Sequence, residues 1–340
     1  MATDAHSIDE LEDQTMLSTP MTSLFGIEHP IMQSGFRYIS RAPFVAAVSN
    51  AGALGTLSAH TQPTGSDLAE EIRQTRRLTA KPFAVNLTLL PENIASHPYD
   101  DYIDVIVGEG IAVVETSGAK PAAFIHRLKK SGVKVIHKCT SVRHALSAQK
   151  YGVDAVCVTG YESAGHPGED DVPSLVLVPR AVDELTIPVI ASGGFADGRG
   201  LAAALTLGAV GVNMGTRFLV TEESPIHADS KTGLSQASER DTTLVARSLG
   251  DSVRVLKTPV TAEVLAMERA GASKEALAPL ISAELWHRAL ISGRLAEAPI
   301  PSGIALGLIN DVPSCAELVR RLVGEAEATI ARLAGLSTRP

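Results

Sequence analysis

From His29 onward the chain repeats one pattern eight times, and this repetition restricts the fold more than any other feature. A short run of β-branched and small apolar residues ends in Gly, Ser, Thr or Asn, and a longer Ala/Leu/Arg/Glu segment with helical spacing follows. The short runs are "HPIMQSG" (29–35), "GALGTLSA" (52–59), "PFAVNLTLL" (82–90), "AVVETSG" (112–118), "KVIHKCT" (134–140), "AVCVTG" (155–160), "PVIASGG" (188–194) and "GVNMGTRF" (211–218). Between them, segments such as 66–78, 121–131, 141–151 and 197–207 are predicted helices. Apolar runs of this kind suit strands buried on both faces of a parallel sheet. Eight such units in succession predict an α/β fold, a (β/α)8 TIM barrel. An open doubly wound sheet would concentrate its ligand signal in one Gly-rich turn after the first strand. Here polar residues and glycines close nearly every strand, as a site on the rim at the strand C-termini requires.

The pattern sets the layout. Residues 1–20, "MATDAHSIDELEDQTMLSTP", are polar and acidic, lack the basic start and apolar stretch of a signal peptide, and read as a disordered leader. Residues 21–220 form the barrel. Residues 221–299 hold helical stretches (261–270 and 274–291) and no clear strand, which predicts a helical insertion after strand 8, packed over the rim. Residues 300–340 complete the barrel through an amphipathic helix at 313–334.

Composition excludes several partner classes. A formal charge of -8 gives no electrostatic case for nucleic acid, and no apolar run approaches the roughly 20 residues of a membrane span. Cys139, Cys157 and Cys315 are scattered and form no CxxC pair, so neither zinc nor a disulfide framework is indicated and a reduced, cytoplasmic setting is expected.

The chemistry-bearing residues stand at strand ends. Strand 7 ends "ASGGF" and strand 8 "MGTRF", and barrel loops at these positions often bind phosphate through backbone N–H groups. Ser192, Gly193, Gly194, Gly215 and Thr216 suit that role; the competing reading is that the glycines only close tight turns. Asn86, inside an apolar strand, needs partners, which either a flavin ring edge or a neighbouring backbone group could supply. Lys138, inside "VIHKC", either faces an anionic phosphate or flavin or extends its amine to water at the rim. His166, in the loop "GYESAGHPG" after strand 6, is a general base or substrate-orienting group above the barrel mouth, or a surface histidine. The nearby "EDD" (169–171) reads as a solvated acidic turn, and His29, His137 and His144 as structural or surface residues.

Together these segments resemble the nitronate monooxygenase (2-nitropropane dioxygenase) family of FMN-dependent barrels, in particular its NADH:quinone reductase branch. The resemblance rests on "HPIMQSG", "NAGALGTLSA", "PFAVNLTLLP", "VVETSG", "KVIHKCTSVRHA", "GYESAGHPGEDDVP", "PVIASGGFADGRGLAAAL" and "GVNMGTRF", spread over residues 29–220. It implies that Met32, Gln33, Ser34, Gly35, Phe36, Asn86, Lys138, Thr159, Ala164, Gly165, Ser192, Gly193, Gly194, Gly215 and Thr216 line FMN, and that His166 is the catalytic histidine. The chain departs from the pattern at Ser34, Tyr38, Thr159 and Ile304.

The function expected from the resemblance is oxidation of alkyl nitronates with O2 to carbonyl compounds and nitrite. Reduction of a quinone with NADH as electron donor is the alternative, and a flavin-binding protein without turnover the remoter one. The expected partners are thus small molecules, with a homodimer left open. The strand 7–8 motifs also resemble IMP dehydrogenases, but residues 160–168 lack the nucleophilic cysteine those enzymes need. Enoyl reductases share the barrel and a Gly-rich His loop, but nothing in the chain is specific for an acyl carrier.

Overall fold

The computed structural model describes residues 17–89, 97–118 and 122–337. Eight parallel strands form the barrel: β1 (Ile31–Gln33), β2 (Gly55–Ser58), β3 (Phe83–Leu89), β4 (Val113–Gly118), β5 (Lys134–Cys139), β6 (Ala155–Thr159), β7 (Val189–Ser192) and β8 (Gly211–Met214). The hydrogen-bonded order runs β1-β8-β7-β6-β5-β4-β3-β2. The remaining gap closes through a single bridge between Met32 and Leu54. Gln33 reinforces that seam. Its side-chain oxygen accepts from the Thr56 amide at 3.0 Å, and its nitrogen donates to Ser40 Oγ at 3.0 Å.

The helices before the insertion are α1 (Pro20–Phe25), α2 (Ala42–Asn50), α3 (Gly65–Leu78), α4 (Tyr99–Gly108), α5 (Ala122–Lys130), α6 (Val142–Lys150), α7 (Ser174–Glu184), α8 (Gly198–Thr206) and the short α9 (Thr216–Leu219). Their apolar faces pack on the outward strand residues, such as Val85, Val114, Val135 and Val156. Inward residues alternate with these along each strand. The lower layer is apolar, with Met32, Leu54, Ala84, Val113, Ile136, Ala155 and Ile190, and α1 plugs it from below with Met21 and Phe25.

The first sixteen positions of the expected leader lie outside the described residues, but its last four belong to the fold. Thr19 caps α1 and donates from Oγ1 to the Val210 carbonyl at 2.7 Å.

The insertion corrects the all-helical expectation. It contains α10 (Ala228–Ser235), a hairpin of β9 (Thr242–Val245) and β10 (Val253–Leu256), then α11 (Pro259–Arg269), α12 (Lys274–Leu277) and α13 (Ala283–Ser292). The hairpin shares a small core of Val245, Val255, Val264 and Leu277 with these helices. The expected single helix over 274–291 breaks into α12, a 3-10 turn around Pro279 and α13, because Ser273 and Ser282 each cap a new start. The last helix, α14 (Cys315–Ser337), packs between α8 and α2 and so takes the final barrel position.

Gln33→Ala should destabilise the protein by about 1–3 kcal/mol, since it leaves the buried Thr56 amide without its acceptor. Urea unfolding measures this, and an unchanged midpoint would show that Gln33 does not hold the seam.

Candidate functional site

The strand C-termini open into a cavity of about 1100 Å³. Such a volume exceeds the usual range for a single small ligand, roughly 300–1,000 Å³, and suits a cofactor together with a substrate. Thirteen of the fifteen residues expected to line a cofactor do line this cavity, and so does His166. Met32 and Gln33 do not. Met32 points down into the apolar lower layer of the barrel, and Gln33 points outward into the β1–β2 seam. The resemblance implies both, but Gln33 alternates with Ser34 onto the other face, and Met32, on the same face as Ser34, lies one layer below the cavity.

The floor is polar and charged. Lys138 Nζ lies 3.0 Å from Glu115 Oε1, and Glu115 is fully buried while Lys138 keeps 21% of its side chain exposed. Burial, the largest single influence, pushes the Lys138 pKa down, but the adjacent Glu115 carboxylate together with Cys157 outweighs it and the net direction is up. Lys138 is therefore an ammonium at neutral pH. Asn86 Nδ2 donates to Glu115 Oε2 at 2.7 Å, so both readings left open for Asn86 and Lys138 resolve first to a protein partner. Glu115 itself was missed. The signal was the one that flagged Lys138, a charge inside an apolar strand, here within "VVETSG".

The loops after β7 and β8 form one wall. Gly193 and Gly194 have φ of 93° and 84°, a left-handed conformation that side chains resist. Among the described residues, no acceptor engages the N–H groups of Gly193, Gly194, Gly215 or Thr216. The Thr216 hydroxyl is taken, since it accepts from the Gly303 amide at 3.0 Å. On the adjoining strand, level with Ser192, Thr159 Oγ1 is buried without a hydrogen-bond partner. Free loop amides, an orphaned hydroxyl on the adjoining strand and the Lys138 ammonium on the floor fit a planar group carrying a phosphate.

His166 sits on the loop after β6, and the insertion holds that loop in place. Gly165 pairs antiparallel with Arg254 of β10, its amide donating at 3.2 Å and its carbonyl accepting at 2.6 Å. Arg254 Nε donates to the Tyr161 carbonyl at 3.0 Å, and its guanidinium lies 4.3 Å from the Tyr161 ring centroid. The turn at 169–171 is exposed, as expected, but two of its acids also have protein partners. Glu169 accepts from Ser252 N and Oγ at 2.8 and 2.7 Å, and Asp171 pairs with Arg247, so these acids clamp the hairpin. The His166 side chain is 53% exposed, with Nε2 3.5 Å from Asp251 Oδ1 at the hairpin turn. It faces the cavity from above and can move a proton at a ligand lying between it and the floor.

Two departures also contact the insertion or its loop. Tyr38 (φ 67°) donates its hydroxyl to Glu284 of α13 at 2.7 Å, and the Ile304 amide donates to the Glu162 carbonyl at 2.9 Å. Among the described residues no three His, Cys, Asp or Glu side chains cluster closely enough to hold a metal. No described helix is long and apolar enough to cross a membrane.

A family model described as "Nitronate monooxygenase" matches residues 18–325. The "(3aS,4S,5R,7aS)-5-hydroxy-7a-methyl-1-oxo-octahydro-1H-indene-4-carboxyl-CoA dehydrogenase" of Rhodococcus jostii (strain RHA1) is 34% identical, covering 94% of this chain and 99% of the relative. A "Probable nitronate monooxygenase" of Staphylococcus saprophyticus is 34% identical over 70% of this chain and 78% of the relative. The solved structure of FabK from Thermotoga maritima superposes with a TM-score of 0.86 at 36% identity, covering 94% of this chain and 99% of that one.

Two buried histidines border the cavity, and both are kept neutral. Burial, aided by His97 and Arg37, pushes His60 down to about 3. Burial pushes His137 down to about 4 against the opposing pull of Glu115. The unfolded chain takes up both protons near the ordinary value of about 6.5. The two rings therefore cost nothing above about pH 6.5, and stability falls as the pH drops from there toward 4, by up to ~1.4 kcal/mol per pH unit for each ring. Urea unfolding across this range should show the decline, and His137→Gln should flatten it; an unaltered slope in the variant rejects the assignment.

Proposed function

The chain belongs to the nitronate monooxygenase family, and on that premise we propose that it is an FMN-dependent oxidoreductase acting on a carbon acid, an alkyl nitronate or its parent nitroalkane. The observation that carries this reading is the stacking of three unlike features along one cavity: free loop amides, a charged floor and a histidine above it. The amides of Gly193, Gly194, Gly215 and Thr216 would hold the FMN phosphate, with Asn86, Lys138 and Thr159 facing the ring system. When bound, the cofactor supplies the electron acceptance that no side chain here offers. Oxygen then serves as oxidant, and the products are a carbonyl compound and nitrite.

The protein's own part is to bind, orient and deprotonate. His166 takes the α-proton from a neutral nitroalkane, and a preformed nitronate needs only orientation. Asp251, 3.5 Å from His166 Nε2, faces the imidazolium that results. Arg254 and the β10 pairing keep the loop from swinging away from the cavity, which preserves the alignment between base and substrate.

A second reading is favoured by the reach of the alignments. The Rhodococcus carboxyl-CoA dehydrogenase matches over 99% of its length, the insertion included, whereas the Staphylococcus relative matches over 78%. A carboxyl-CoA thioester is also a carbon acid, and the same histidine would serve it.

Anaerobic mixing of the FMN-loaded protein separates the readings. Bleaching of the flavin by a nitronate supports the first and by a carboxyl-CoA thioester the second, while bleaching by NADH alone supports quinone reduction. If none of the three bleaches it, the protein binds flavin without these chemistries. For nitroalkane oxidation, His166→Ala should lower kcat/KM on the neutral substrate by on the order of 10²–10⁴ and on the nitronate far less. Equal losses on both would remove the base role.

A further inference from the structure

Glu115 has no task in the function proposed above, yet the upper barrel is arranged around it. Three donors converge on this fully buried carboxylate: Lys138 Nζ and Asn213 Nδ2, each 3.0 Å from Oε1, and Asn86 Nδ2, 2.7 Å from Oε2. The circuit closes through Ser34, which accepts from Lys138 Nζ at 3.4 Å and donates its own hydrogen to Asn213 Oδ1.

The direction of every bond in this ring follows from Glu115. An ionised carboxylate only accepts, so both asparagines must turn their NH2 groups toward it. Their carbonyl oxygens then face hydroxyls: Asn213 Oδ1 takes Ser34, and Asn86 Oδ1 takes Thr88 Oγ1 at 2.9 Å. Lys138 directs two of its three N–H bonds to Glu115 and Ser34, and the third remains for the cavity that its side chain lines. A lysine with no such partner could bend its flexible stem toward rim water. Here the ammonium is held at one place, and most of its charge is balanced from below.

We propose that Glu115 is a positioning residue that aims the Lys138 ammonium at the cofactor and offsets its charge, so that the bound flavin keeps a lower midpoint potential than an unpaired Lys138 would give it. The inference rests on the FMN reading above. The physical reason is Coulombic. Reduction adds negative charge to the flavin, a nearby cation favours the reduced form, and a carboxylate beside that cation opposes the effect in a poorly screened interior. A carboxylate that only stabilised the fold would leave the potential unchanged.

The test is spectroelectrochemical titration of the FMN-loaded protein as wild type, Glu115→Gln and Glu115→Asp. Glu115→Gln removes the balancing charge and should shift the midpoint potential upward. Glu115→Asp keeps the charge, and with it the fold, but withdraws the carboxylate from Lys138; it should shift the potential in the same direction by less. Variants that bind FMN at the wild-type potential overturn the inference and leave the FMN reading intact. A wild-type protein that takes up no FMN overturns the reading beneath it.

Discussion

Closing eight parallel strands on themselves gives every inward side chain one of two fates. It joins the packed floor, or it faces the mouth at the strand C-termini. In this chain the division falls within single strands. Val113 packs downward while Glu115, two residues on, is already in the charged layer, and Ile136 and Lys138 divide in the same way. The apolar layer excludes water from below, which leaves the Glu115–Lys138 pair only the cavity side from which to be solvated. Such a pair is tolerable because two amide donors, one on each carboxylate oxygen, supplement the ammonium. The barrel thus produces a dry, charged floor without any residue outside the strand pattern.

Much of this was legible in the residues alone, for reasons of periodicity. A parallel barrel repeats its signal in each unit, so an error of a residue or two at any strand end does not alter the fold. The site was legible where a residue type conflicts with its surroundings. Lys138 in "VIHKC" and the glycines that follow two consecutive strands are such conflicts. Glu115 carries the same conflict but is followed by Thr, Ser and Gly, and reads as part of a polar strand end. Gln33 shows the opposite error. A polar residue in a conspicuous motif was given to the ligand, although the weak β1–β2 seam needed its amide as a substitute for ladder hydrogen bonds.

The insertion was less legible because its strands are short and are stabilised from outside. Residues 253–256 alternate in the manner of a strand, but four residues have little weight beside the long helical patterns around them. β9 takes one edge of β10, and what fixes the other is pairing with Gly165 and with the segment around Pro301. Partners so distant in sequence leave no local pattern. The same is true of the acids in "GEDD", whose role depends on Arg247 and Ser252 some eighty positions away.

This dependence has a functional consequence. The loop carrying His166 is rich in glycine, and its second half would be conformationally free if the barrel alone supported it. Its first half is held by Ser174, Ser192 and Ile304, and the part carrying His166 by the insertion, through the Gly165–Arg254 pairing, the Tyr161–Arg254 contact and the Asp171–Arg247 ion pair. The barrel rim holds the unpaired loop amides and the charged floor on rigid strand ends, while His166 is set in part by a segment that packs over the mouth. On the function proposed above, changes in the insertion would alter which substrate is held under His166 without disturbing the floor. That separation suits a family in which 34% identity spans relatives named for a nitronate and for a carboxyl-CoA substrate.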